Sequence, residues 1–177
     1  MSITIVSGSP GSGKTSVSKL LADSDGGVHI ESDHFFRFIT HYIDPSKPES
    51  KQQNETVVLA YTTAAKTYSD AGYSVYLDGV IGPWLFPIMG PVLHSFEYAV
   101  LFTPEETALV RVAGRNGQDS AKPSVVHRMH KQFANIIADY QKHVFDSTTQ
   151  TIQDVASELR RRRSGGELTI SLEQAHA

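Results

Sequence analysis

Cysteine is absent from all 177 positions of the chain. That excludes disulfides, cysteine-ligated zinc, iron–sulfur clusters and thiol nucleophiles together. There is no excess of positive charge either: 16 Lys and Arg stand against 19 Asp and Glu, a formal net charge of −3. This argues against a protein built to grip duplex nucleic acid, because such binding draws on a basic footprint. Apolar runs are short, and none approaches the ~20 residues of a membrane span. The opening Met1-Ser2-Ile3-Thr4-Ile5-Val6 carries no basic segment and meets polar Ser7 and Gly8 at once, so it does not read as a secretory signal. The expectation is a cytoplasmic protein without a membrane partner.

What is present has the balance of an ordinary folded domain, 40% apolar and 20% charged, outside the disordered range. A chain of this length suits one domain and buries roughly 68–70% of its unfolded surface, enough for a core without staples. Short β-branched or aromatic runs (3–7, 28–30, 73–77, 96–102 and 144–146) alternate with stretches of helical spacing. The longest of these, 50–71, places Val57, Val58, Tyr61, Ala64, Ala65 and Tyr68 on one face and stops at Gly72. Thr103-Pro104-Glu105-Glu106 reads as a helix start with Thr103 as N-cap, and Thr148 or Thr149 as the cap of a last helix. A small strand is expected at 168–172. Strands alternating with helices predict an α/β fold with a parallel sheet covered on both faces. We expect one domain over 1–177, with a lid at about 114–124 and a tail at 164–177.

Residues Gly8-Ser9-Pro10-Gly11-Ser12-Gly13-Lys14-Thr15 fit the phosphate-loop pattern G-x-x-x-x-G-K-S/T at every position, between a strand and an amphipathic helix. Glycines let successive backbone N–H groups turn toward phosphate oxygens, and the helix N-terminus adds partial positive charge. Lys14 is placed to reach the β- and γ-phosphates, Thr15 to ligate magnesium, and Ser16 to flank them. No N-K-x-D guanine signature occurs, which argues against a GTPase.

With these residues the chain resembles the small phosphate-loop kinases: shikimate kinase, gluconate kinase, chloramphenicol phosphotransferase and the nucleotide kinases. The likeness covers most of residues 1–160. It implies a 2-3-1-4-5 parallel sheet, ATP and magnesium as cofactors, an acceptor pocket after strand 2, and an arginine-bearing lid over ATP.

Several residues fall where that resemblance assigns roles. Asp33, after the second strand, matches the aspartate that orients an acceptor hydroxyl and takes its proton; alternatively it caps the helix through Phe35, Phe36 and Phe38. Arg37 shares a helical face with Asp33, so it either binds an anionic part of the acceptor or pairs with Asp33. Asp78, in Leu77-Asp78-Gly79, follows an apolar strand as a magnesium-binding acid does, usually through water, or is a turn residue. Gly79 would give the acceptor room, and Trp84 either touches it or anchors the core. Arg111 and Arg115 share a face ahead of a glycine-containing segment, as catalytic clamps on the γ-phosphate or as solvated charges. Thr148 lies in the loop expected along the adenine. His127 and His130 have no third ligand nearby and are not expected to hold metal.

The resulting reading is a kinase for a hydroxyl-bearing small molecule. A nucleoside monophosphate kinase needs acceptor-binding arginines, yet between residues 16 and 78 only Arg37 is available. A polynucleotide 5′-hydroxyl kinase could use Asp33 with Arg37, but the acidic balance and the missing basic stripe weaken that reading. A nucleotide-binding regulator leaves Asp33, Asp78 and the arginine pair without a purpose.

Overall fold

The structure is a computed structural model that describes residues 2–114 and 121–172. Strand β1 (Ile3–Ser7) runs into the phosphate loop and helix α1 (Lys14–Asp25). Next come β2 (Val28–Glu31), a 3-10 segment of about two turns over Ser32–Phe38, helix α2 (Lys51–Asp70) and β3 (Val75–Gly79). Helix α3 (Phe86–Leu93), β4 (Ser95–Phe102), α4 (Glu105–Ala113), α5 (Pro123–Ile136), β5 (Val144–Asp146), α6 (Ile152–Ser164) and β6 (Thr169–Ser171) complete the order. The parallel strands lie as β2-β3-β1-β4-β5, with β6 antiparallel on β4.

The two-residue period of the strands sorts side chains into two cores. Ile5, Leu77 and Val100 face one side, where α2 contributes Tyr61 and Ala65, α3 contributes Phe86 and Met89, and α5 contributes Phe133. Their neighbours Val6, Tyr76, Ala99 and Leu101 face the other, against Val17 and Leu21 of α1 and Val155 and Leu159 of α6. A sheet covered on both faces follows, and the central position of β1 puts the phosphate loop in the middle of its carboxyl edge, where open α/β sheets take their ligands.

Local chemistry departs from the sequence expectation in four places. Helix α3 was not anticipated: Pro87 stands in its first turn and Pro91 lies inside it, so proline and glycine conceal eight residues of helix. Strand β3 starts two residues later than expected, at Val75. Thr103 does not cap α4; Pro104 takes that position, and the buried Thr103 hydroxyl turns inward to donate to Thr148 Oγ1 at 3.5 Å. The last helix is capped neither by Thr148 nor by Thr149 but by Thr151. Its hydroxyl accepts from Asp154 N (3.1 Å), and the Asp154 carboxylate accepts from Thr151 N (3.1 Å), a reciprocal capping box.

The four arginines at the end of α6 all have partners. Arg160 and Arg163 reach Asp25 of α1 at 3.0 and 3.3 Å, and Arg163 also bonds the Tyr76 hydroxyl, which itself donates to Asp25. Arg161 and Arg162 both bind Glu158, and Arg162 lies over the Phe145 ring at 4.4 Å. His127 and His130 approach Glu105 at 2.8 and 3.8 Å, which joins α5 to the start of α4.

The capping box gives a direct test. Thr151→Ala is expected to lower stability by about 1 kcal/mol, read as a lower denaturant midpoint at unchanged slope. Thr149→Ala, at an exposed position, is expected to stay within about 0.5 kcal/mol.

Candidate active site

The phosphate loop is shaped by what it touches. A Cβ at Gly8 (φ +144°) would lie 2.3 Å from the Leu101 carbonyl oxygen, and one at Gly11 (φ +87°) 2.5 Å from that of Ala108. Both glycines are therefore required twice, for their dihedrals and for the closeness of β4 and α4. Ser9 and Ser12 are buried, and their hydroxyls find no partner among the described residues. Gly13, also at positive φ, precedes α1, and half-buried Pro10 lines the cavity on the open side. The backbone thus forms a narrow concave turn ending at a helix N-terminus, a cradle for an anionic group.

Beyond it, Lys14 Nζ points back across the loop, with the Ser9 carbonyl at 3.5 Å. Thr15 Oγ1 donates to Asp78 Oδ1 at 3.3 Å, and the second carboxylate oxygen, Oδ2, lies 2.6 Å from His29 Nε2. The pairing of Glu31 with Asp78 across β2 and β3 brings these groups to one level. Thr15 and Asp78 offer hard oxygen ligands from a hydroxyl and one nearly buried carboxylate. That set suits magnesium, which keeps most of its waters and binds through one or two carboxylates plus substrate phosphates. Among the described residues no three His, Asp or Glu side chains gather into a separate metal cage.

Lys14, Thr15 and Asp78 line one cavity of about 550 Å³ together with Asp33, Arg37, Phe36 and Tyr42. Asp33 is exposed into it. Glu31 holds the N-cap position of the 3-10 segment and no side-chain cap bond is formed there, so capping does not account for Asp33. Phe35 and Phe36 pack on the core, whereas Phe38 is 78% exposed. A neighbouring cavity of about 590 Å³ shares Asp33 and Phe36 and adds Tyr61, Trp84 and Arg128. Burial, and after it the Asp33 carboxylate, pushes the Tyr61 phenol well above its ordinary range; burial and the Asp44 and Asp33 carboxylates push Tyr42 up as well. The walls around Asp33 therefore hold neutral phenols.

Trp84 lines this second cavity and tilts against Phe133 at 5.6 Å between ring centroids, so it is both anchor and wall. Gly79 corrects an expectation. A Cβ there would lie 1.9 Å from Ser32 Oγ, and Gly79 lines neither cavity. Its missing side chain makes room for Ser32, not for an acceptor.

Arg111 also departs from its expected place on the γ-phosphate. Its guanidinium donates to the carbonyls of Ser147 (2.8 Å) and Thr148 (2.9 Å), with Gly11 O farther off at 3.5 Å. It lines a cleft of about 300 Å³ on the opposite side of the loop with Ser16, Val17, Gln150 and Ile152. Thr148 does not line this cleft with its side chain: its hydroxyl and N–H hold the Asp146 carboxyl below the usual range, and its Oγ1 accepts from Thr103. Ser147, not singled out from the sequence, donates to Ser12 O at 2.9 Å and ties the loop after β5 to the phosphate loop. Arg115 and most of the expected lid lie outside the described residues. His29 was likewise missed, since a histidine within a strand has no motif to mark it.

The sequence profile of a family described as Zeta toxin matches residues 2–164. Among solved structures, a sugar kinase from a Janibacter species aligns at 20% identity and TM-score 0.70, over 92% of this chain and 93% of that one. A gluconokinase from Sinorhizobium meliloti aligns at 16% identity and TM-score 0.63, over 93% and 94%. A shikimate kinase from Bacteroides thetaiotaomicron aligns at 13% identity and TM-score 0.62, over 94% and 99%. At these identities the likeness is one of fold, and the fold is that of the small phosphate-loop kinases. No curated protein gives a significant match.

The carbonyl clasp of Arg111 separates two roles. Arg111→Ala leaves two partly buried carbonyls without their donor, a loss of about 1 kcal/mol or more, so thermal unfolding should occur earlier and nucleotide should bind more weakly. Arg111→Lys should recover only part: one nitrogen, Nη2, meets both carbonyls, and a shorter lysine chain carries its single ammonium at a different place and has no second nitrogen for Gly11 O. Unchanged stability with a purely catalytic defect would return Arg111 to the phosphate.

Proposed function

The chain belongs to the zeta toxin family, and on that footing we propose that it is an ATP- and magnesium-dependent phosphotransferase that moves the γ-phosphate of ATP to a hydroxyl of a small molecule. The observation that carries this reading is the shared cavity. Lys14, Thr15 and Asp78, the groups suited to a metal-bound triphosphate, open onto the same space as Asp33 and Arg37. A nucleotide-binding regulator would have no use for a carboxylate exposed opposite its phosphate loop. The described neighbours, kinases of a sugar, gluconate and shikimate, support a small hydroxylated acceptor.

In this reading the loop Gly8–Thr15 holds the phosphates through backbone N–H groups, and Lys14 neutralises charge on the transferring group. Thr15 and Asp78 would hold magnesium, which when bound draws charge from the β- and γ-phosphate oxygens. Asp33 orients the acceptor hydroxyl and takes its proton as the O–P bond forms. Arg37, Trp84 and the phenols of Tyr42 and Tyr61 bound the acceptor. Arg115 is the cation assigned to charge that develops late on the γ-phosphate. Ser147 and Arg111 keep the base side of the slot in register with the loop.

The test is ADP release across a panel of acceptors: sugars, sugar acids, polyols, aminoglycosides, chloramphenicol and nucleosides. Release should depend on a productive acceptor; acceptor-independent release unaffected by Asp33 would overturn the reading. Lys14→Ala is expected to abolish transfer while circular dichroism and melting stay near wild type. Asp33→Asn is expected to lower turnover by about 10²–10⁴-fold, the range of a positioned general base, with ATP affinity hardly changed.

A further inference from the structure

We infer that His29 is a positioning residue for the metal-facing carboxylate of Asp78, an assignment that rests on the reading of the site as a magnesium–nucleotide site. The parallel register pairs His29 with Tyr76 and Glu31 with Asp78. Two residues along a strand return to the same face, so His29 and Asp78 project to one side of the sheet, toward α1 and Thr15. There His29 Nε2 stands 2.6 Å from Asp78 Oδ2, while Thr15 Oγ1 stands 3.3 Å from Oδ1. An ionised carboxylate only accepts hydrogen bonds, so the imidazole Nε2 carries the proton and donates it.

The consequence is geometric. A carboxylate held by one oxygen alone keeps freedom to rotate about its last bond. With Thr15 on Oδ1 and the imidazole on Oδ2, the plane of the Asp78 carboxylate is fixed where it borders the cavity shared with Lys14 and Asp33. The pair is shielded as well, with side-chain exposures of 4% for Asp78 and 17% for His29, so water competes weakly for either partner. Groups that hydrogen-bond a ligating carboxylate orient it and tune its grip, and their loss typically weakens metal binding about 10–100-fold. His29 touches neither acceptor nor phosphate in this account; its effect passes through Asp78.

The alternative is that His29 merely satisfies a shielded carboxylate and supports the fold. Two substitutions separate these. His29→Gln keeps an N–H donor at nearly the position of Nε2, whereas His29→Leu keeps bulk and removes the donor. The full chain is titrated with Mn²⁺ in the presence of a non-hydrolysable ATP analogue, followed by water proton relaxation. The analogue alone is titrated separately in EDTA, and melting is recorded for each variant.

The expected result is a Mn²⁺ affinity about tenfold or more weaker in His29→Leu, with EDTA-state nucleotide affinity unchanged and His29→Gln close to wild type. Should His29→Leu not fold, His29→Asn, whose amide stops one carbon short, makes the same comparison with His29→Gln. A lowered melting temperature with unchanged Mn²⁺ affinity overturns the inference, and so does equal weakening by Gln and Leu. Nucleotide binding by the wild-type chain that ignores metal altogether would instead overturn the magnesium–nucleotide reading, and the role of His29 with it.

Discussion

Everything in the site hangs on how closely the phosphate loop is pressed against the sheet and helices behind it. At Gly8 and Gly11 the backbone runs so near the carbonyls of Leu101 and Ala108 that no Cβ fits. The loop is therefore not a free turn that happens to precede a helix; it is wedged into the seam between β4 and α4. The wedge sets the height at which α1 begins and the direction in which its first N–H groups point. It also fixes where Thr15 emerges relative to β3, and hence its meeting with Asp78. Moving β4 or α4 would displace the loop, and the chemistry with it.

Around this wedge the parallel register does the rest of the placing. Ser7 pairs with Gly79 on one side and with Val100 on the other, so β1 and β3 end at one level while β4 runs two residues further, to Phe102, and the loops that follow face a common opening. Carboxylates just past or near the ends of β2 and β3 then fall on the same side of the phosphate loop. The two sides of the opening differ in character. One is a polar cavity bounded by acids, Lys14, Arg37 and phenols. The other is a smaller cleft lined by Val17, Ile152, Arg111 and Gln150.

How much of this could be read from the chain alone follows from the range of each interaction. The phosphate loop was legible because its requirements are local: dihedrals at glycines, a lysine and a threonine at fixed spacing. The sheet order came from resemblance, and the alternation of periods supported it. Asp33 was legible as an acid after an apolar strand, and Asp78 likewise, although it lies inside β3 and not beyond its end. Arg111 was misplaced because helical spacing says which face it shares with Arg115 but not that the loop after β5 lies against that face. Gly79 was misread for the same reason, since only the folded chain shows Ser32 filling the space above it. His29 carries no local signal at all: its meaning arises from a partner 49 residues away. Helix α3 stayed hidden because its prolines read as breakers when no tertiary packing is known. Thr103 had the residues of a cap and lost the role to a contact across the sheet.

The short strand β6 has a consequence beyond its size. The edge of β4 that faces away from β1 is shared between two partners: β5 covers Val100–Phe102 and β6 covers Ser95–Glu97. Around it, Leu168 and Leu172 are buried, and Tyr98 N donates to Leu168 O at 2.9 Å. The family match stops at residue 164, before any of these. The segment after it acts as a shutter on an otherwise open β-edge, which would present unpaired N–H and C=O groups to other chains. A protein trimmed to its family boundary would thus keep the phosphate loop and the cavities beside it and lose the strand that covers the Ser95–Glu97 edge, exposing it to strand-to-strand self-association.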